Sequence, residues 1–155
     1  MGIKNTLLII NLLIGYWRKQ SIDIIPKSIS DIESLVTQNA ILLPSDFKEL
    51  YSKVNGMKNL YPNEMDEEGF LFYPIEAIIS AKDEFENSEL INKDRVYIFA
   101  EYMHKSWWYG LEVISDNKYT IGIIPDKNTF KPITNSLVEF MELYIDNSTK
   151  LYDYS

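Results

Sequence analysis

The sequence predicts an α+β fold, with N-terminal helices and one C-terminal helix packed on a mainly antiparallel sheet of about four to six strands. Three observations carry this. Apolar residues recur at helical spacing up to Gly56, short aromatic and β-branched runs occupy the middle of the chain, and a capped helical stripe closes it. With 155 residues, 46% hydrophobic and 14% aromatic, the chain is expected to form one globular domain over 1–155. Residues 1–29 read as an apolar helix and linker, and 30–147 as the core. No internal repeat or low-complexity segment appears.

The first helix is expected in the run from Ile3 to Trp17, which contains Leu7, Leu8, Ile9, Ile10, Leu12, Leu13 and Ile14. Lys4 ahead of it raises the question of a secretory signal. No small-residue cleavage pattern follows Gly15, however, and the run falls short of the roughly 20 residues that a membrane span needs. A buried helix in a cytoplasmic protein is the expectation. Pro26 then breaks the chain, and Ser30-Asp-Ile-Glu33 reads as a capping box for a second helix with Ile32, Leu35 and Val36 as its inner stripe.

The third helix is expected from Pro44 to Gly56. Pro44 suits a first helical position, Phe47, Leu50, Tyr51 and Val54 share one face, and Asn55-Gly56 supplies the stop. After a polar, acidic connection from Leu60 through Pro62, Gly69-Phe-Leu-Phe-Tyr-Pro74 reads as a short strand ended by proline. A helical turn near Ile75–Ile79 and a surface loop to Asp94 are expected next. Arg95 to Glu101 and Ser106 to Ser115 read as strands. In the second of these, Trp107, Tyr109, Leu111 and Val113 fall on one face, and Trp108, Gly110, Glu112 and Ile114 on the other. Asp116-Asn117 is a plausible hairpin turn, Tyr119 to Ile124 its returning strand, and Pro125 the end of it. Asn135-Ser136 with Glu139 caps the last helix, whose stripe is Leu137, Phe140, Met141 and Tyr144. Asn147-Ser-Thr matches a glycosylation acceptor, a tripeptide too common to weigh without a secreted context.

Charge is uneven. The formal net charge is −8, yet residues 1–60 carry seven Lys/Arg against five Asp/Glu. The excess of acid lies beyond residue 60, above all in 61–90, where Glu64, Asp66, Glu67, Glu68, Glu76, Asp83, Glu84, Glu86 and Glu89 meet only Lys82. Such a stretch is ordinarily a solvated surface; it can also steer a cationic partner. Direct nucleic-acid binding is disfavoured, because that surface repels phosphates.

Candidate chemistry is sparse. There is no cysteine, one histidine (His104), and no clustered glycine that could cradle phosphate. A zinc site would need two carboxylates around one imidazole, and no Gly-x-Ser-x-Gly elbow presents a nucleophile. No metal site, cofactor or enzyme signature is therefore expected. His104 reads as a turn or partner-contact residue. One of Trp107 and Trp108 is expected in the helix-covered core; the other lies on the far face, under a loop or exposed as an interaction anchor.

Five motifs stand in an order that resembles the SMI1/KNR4 (SUKH) superfamily. They are Asp31-Ile32-x-x-Leu35, Leu43-Pro44-x-Asp46-Phe47-Lys48-x-Leu50-Tyr51-x-x-x-Asn55-Gly56, Phe72-Tyr73-Pro74-Ile75-Glu76, Ile98-Phe99-Ala100-Glu101 with Ser106-Trp107-Trp108-Tyr109, and Ile133-x-x-Ser136-Leu137-x-x-Phe140-x-x-Leu143-Tyr144. The apolar N-terminal helix is longer than the resemblance would give. What the resemblance implies is an α+β fold without catalysis and, for many bacterial members, an immunity protein that neutralises a cognate toxin in the cytoplasm. Other relatives are regulatory or scaffolding proteins.

The expectation is a non-catalytic immunity protein, a monomer or weak dimer, whose partner is a toxin with a basic surface. It would act without cofactor, metal, membrane or direct nucleic-acid contact. Asp66, Glu67, Glu68, Glu84 and Glu86 are the expected steering residues, with Tyr102, His104, Trp108 and Glu112 as anchors. The alternatives are a regulatory or scaffolding adaptor, and a small-molecule pocket beside the tryptophans.

Overall fold

A computed structural model describes residues 5–57 and 65–153. The expected connection through Pro62 and Glu64, and the start of the apolar run at Ile3, lie outside the described residues. Within them the elements follow as α1 (Thr6–Arg18), α2 (Ile29–Gln38), α3 (Ser45–Lys53), β1 (Phe70–Phe72), β2 (Ile79–Ser80), α4 (Ala81–Glu84), β3 (Val96–Tyr102), β4 (Trp107–Ser115), β5 (Lys118–Asp126), β6 (Thr129–Thr134) and α5 (Leu137–Ile145). Single 3-10 turns form at Ile75–Ala77 and Thr149–Tyr152. The expected α+β architecture is the one observed. One antiparallel sheet runs β1-β3-β4-β5-β6, and β2 pairs with the other half of β3's free edge, Ile79 opposite Ile98.

Helices α1, α3 and α5 cover one face of this sheet. Asn5 caps α1 by accepting the Leu8 N–H, and Ile9, Ile10, Leu13 and Trp17 are buried against α3 and α5. The expectation of a buried first helix holds for that face only. Leu7, Leu8 and Leu12 are 45%, 50% and 45% exposed, because a helix resting on two others buries only the stripe facing them. The cap of α2 also differs. Ser28, not Ser30, accepts the Asp31 N–H, so the helix begins before the expected box. Pro44 is the N-cap of α3 rather than its first residue, and the Ser45 N–H is satisfied across the domain by Asn117 Oδ1 at 2.8 Å.

The α3 stripe behaves as read, with Phe47, Leu50, Tyr51 and Val54 all buried. Phe47 stands edge-on to Phe99 and Tyr119, with ring centroids 5.6 and 5.5 Å away. Each such pair contributes about 0.5–1.5 kcal/mol beyond area burial. Gly56 is left-handed (φ +64°), but its reason is packing. A Cβ there would stand 2.4 Å from the Tyr73 carbonyl oxygen, where the α3 exit crosses the end of β1. The α5 cap forms as expected, Ser136 accepting the Glu139 N–H, and its whole stripe is buried.

The other face of the sheet is covered by something the sequence presented as a surface loop. Residues 81–94 begin as α4 and close on themselves where the Lys82 N–H donates to the Lys93 carbonyl. This omega-shaped excursion lies over the strands. Ala81, Ser88 and Leu90 are buried, and Phe85 stands edge-on to Trp108 at 4.8 Å. Its tip is tied to the β5–β6 turn, Ser88 Oγ donating to the Lys127 carbonyl and the Glu89 N–H to Asn128 Oδ1. Gly110 of β4 leaves room for its sheet neighbours, since a Cβ there would meet Ile124 Cδ1 at 2.7 Å.

Two strand boundaries also differ from expectation. Pro125 does not end β5, which continues to Asp126; the proline sits where the β5–β6 register shifts between Ile123 and Asp126. β6 went unforeseen because Lys131 and Pro132 break its pattern, yet an edge strand tolerates a proline whose missing N–H would face outward.

Candidate functional site

Because β1 and β2 share one edge of β3 and are separated by Pro74 and a 3-10 turn, the sheet edge is notched. A cleft of about 450 Å³ opens there, on the face away from the main helices. Leu71, Ala77 and Ile79 give it an apolar lining. Its polar groups are Tyr73, Glu84 and Glu101, with His104 and Lys105 also along its wall.

Glu101 is the centre of the site. Strand register places it opposite Leu71 of β1 and Trp108 of β4, and it is only 7% exposed. Its Oε1 accepts the Tyr73 hydroxyl at 2.7 Å; among the described residues no hydrogen bond or ion pair reaches Oε2. Glu84 comes from the end of α4, its side chain 21% exposed, with Lys105 Nζ 3.6 Å away. Burial holds the Tyr73 phenol well above its ordinary pKa, reinforced by its hydrogen bond to Glu101 and by the negative charges of Glu101 and Glu84. The phenol therefore stays protonated and donates.

The β3–β4 turn supplies the basic wall. Met103, His104 and Lys105 all take left-handed conformations (φ 46°, 55° and 65°), each costing a non-glycine residue roughly 1–2 kcal/mol. The Met103 N–H bonded to Gly69 O and the Ser106 N–H bonded to Tyr102 O hold the turn closed.

The nine expected contact residues do not form one surface. Asp66 is buried, 5% exposed, and cannot steer a partner. Its Oδ1 accepts the N–H groups of Glu68, Gly69 and Phe70, and its Oδ2 accepts the Tyr144 hydroxyl. Trp17 Nε1 in turn donates to Tyr144 at 2.9 Å. Glu67 and Glu68 are exposed on the same turn, where the Glu67 N–H donates to Gln20 of the α1 extension. Tyr102 stacks on Trp107 at 4.6 Å and belongs to this side too. On the opposite face, Glu84 and His104 line the cleft. Trp108 lies beneath Phe85, so that tryptophan is loop-covered rather than presented, and its Nε1 is buried without a hydrogen-bond partner among the described residues. Glu86 is exposed on the covering segment, and Glu112 approaches Asn92 at 3.4 Å.

Sequence reasoning missed Glu101 and Tyr73 as site residues. Both were visible as motif letters, but Glu101 ends an apolar strand, where an acid ordinarily marks the exit to solvent. No simple alternation finds it, because a β-bulge between Ile98 and Ala100 shifts the register and turns Glu101 onto the face of Trp108.

Among the described residues no three His, Cys, Asp or Glu side chains stand together as a metal site, and no helix is long and apolar enough to cross a membrane. What the cleft can do is accept hydrogen bonds from a cation while packing a short apolar stem. The family described as SMI1 / KNR4 family (SUKH-1) matches this chain over residues 26–143. No curated protein and no solved structure matches it.

Proposed function

The chain belongs to the SMI1/KNR4 family (SUKH-1), and from that membership we propose that it is a non-catalytic immunity protein that binds and neutralises a cognate bacterial toxin domain. The family is immunity-protein-like, and the match over 26–143 is the observation that carries the reading. Supporting it are the net charge of −8 and a cleft whose free acceptor is a buried carboxylate, both suited to a partner with a basic surface. Glu67, Glu68, Glu84 and Glu86 would steer that partner, and the cleft would anchor it. Asp66 drops out of the steering set because it is buried. Cytoplasmic action, with a monomer or weak dimer as the binding unit, is part of the same proposal.

The test is co-expression of the full chain with the C-terminal domain of the adjacent upstream reading frame's product, which the immunity reading expects to be a large secreted protein. Recovery of growth and co-purification of the two chains are the expected results. Normal purification of both proteins with neither a complex nor protection would overturn the reading. Capture of a non-toxic host protein in its place would favour the adaptor alternative.

A further inference from the structure

We propose that the cleft beside Glu101 is a receptor for a single arginine side chain presented by the partner protein. The inference rests on reading the chain as a partner-binding immunity protein, and it names the group that the partner must bring.

Three features of the cleft select this occupant. The first is an acid without a full set of partners. Glu101 is more than nine-tenths buried, yet among the described residues only its Oε1 is bonded, to the Tyr73 hydroxyl. The other oxygen faces the cleft, and a charged donor makes a stronger hydrogen bond to a carboxylate than water or a neutral donor does. The second is charge. Glu84 and Glu101 bring two negative charges, and Lys105, 53% exposed and 3.6 Å from Glu84, offsets one. The third is shape. Leu71, Ala77 and Ile79 provide apolar surface for the methylenes of a long side chain. A guanidinium is planar, weakly hydrated and carries donors on two edges, so it can serve Glu101 and Glu84 together. A lysine ammonium can approach only one as a point charge and loses more hydration on entry.

The experiment is an NMR titration of the isotope-labelled full chain with N-acetyl-arginine-methylamide, beside the lysine and citrulline analogues. Saturable amide shifts confined to Leu71, Tyr73, Ile79 and Glu101 are expected with arginine, weaker ones with lysine, and none with the neutral citrulline analogue. Glu101→Gln keeps the shape and the Tyr73 acceptor, and should weaken arginine binding by about tenfold or more. Ala77→Leu fills the cleft without touching either carboxylate and should abolish binding; matched thermal melts confirm that both variants are folded. Shifts scattered over the surface, equal shifts with citrulline, or binding indifferent to Glu101→Gln overturn the proposal.

A second arm separates this failure from that of the immunity reading. Loss of probe binding in Glu101→Gln with unchanged affinity for the toxin domain overturns the assignment of the arginine to the partner and leaves the immunity reading standing. Probe binding without any toxin-domain complex upholds the cleft as a guanidinium site and overturns the immunity reading.

Discussion

Two buried acids, one associated with each face of the sheet, show how differently the two faces are built. On the helix side, Asp66 is saturated: three backbone N–H groups and the Tyr144 hydroxyl use both oxygens, and Trp17 completes the chain of donors. On the other side, Glu101 has one bonded oxygen and one facing a cleft. Both are about equally hidden, at 5% and 7% exposure, so burial alone does not distinguish them. What distinguishes them is the count of donors. A saturated acid holds a turn in place; an unsaturated one is available to a ligand.

The largest effect that tests this comparison is on Asp66. Asp66→Ala would leave the Glu68 and Phe70 N–H groups and the Tyr144 hydroxyl without this acceptor, while the Gly69 N–H keeps the Asp66 main-chain carbonyl. It should cost about 3 kcal/mol or more of unfolding free energy, given roughly 1–3 kcal/mol for each buried orphan. Glu101→Ala should cost less than half as much, because it orphans only the Tyr73 hydroxyl beside a cleft that admits water. Denaturant midpoints of the two variants decide the matter, and equal losses would break the distinction.

A smaller effect concerns pH. Burial pushes the Asp66 carboxyl above its ordinary value despite the four hydrogen bonds that oppose the shift. Its folded pKa is thus higher than its unfolded one. The stability it contributes is fully present below the unfolded pKa and declines as pH rises through the folded value. Asp66→Asn has no such proton to lose, so the stability gap between wild type and this variant should narrow as pH is raised from acid to neutral. Glu76 runs the opposite way. Burial raises its pKa, but the Lys27 and Asn55 contacts outweigh that and hold it below normal, which is why the difference against Asp66→Asn, and not the raw curve, is the measurement.

How much of this was legible in the sequence depends on the face. The helix side was read nearly residue by residue, because the stripes of α3 and α5 and the alternation of β4 are periodic, and periodicity survives without tertiary knowledge. Asp66 was misjudged as surface charge because nothing in Asp-Glu-Glu-Gly tells which acid turns inward; three consecutive N–H groups folding back onto Oδ1 decide it. The far face was harder. Residues 81–94 are polar enough to pass for a solvated loop, and Ala81, Phe85, Ser88 and Leu90 pack inward at no regular spacing. Glu101 was hidden for a related reason. The cleft exists because two short strands share one edge, a pairing made by residues about 20 to 30 apart that no local pattern announces.

The smallest expected effect is at the tryptophans, where the comparison recurs with donors in place of acceptors. Trp17 Nε1 donates to Tyr144 on the helix side, whereas Trp108 Nε1 is buried beneath Phe85 with no acceptor among the described residues. Trp108→Phe removes apolar area and a polar orphan at once. The lost area costs on the order of 1 kcal/mol at about 25 cal/mol per Å², and relieving the orphan returns about 1–3 kcal/mol. The variant should therefore be as stable as wild type or up to about 2 kcal/mol more stable. Trp17→Phe loses similar area but also strips a donor from the Tyr144–Asp66 chain, so it should be the less stable of the two. If instead Trp108→Phe were the more damaging, the far-face indole would be holding an acceptor after all, and the contrast between a saturated and an unsaturated face would fail at that position.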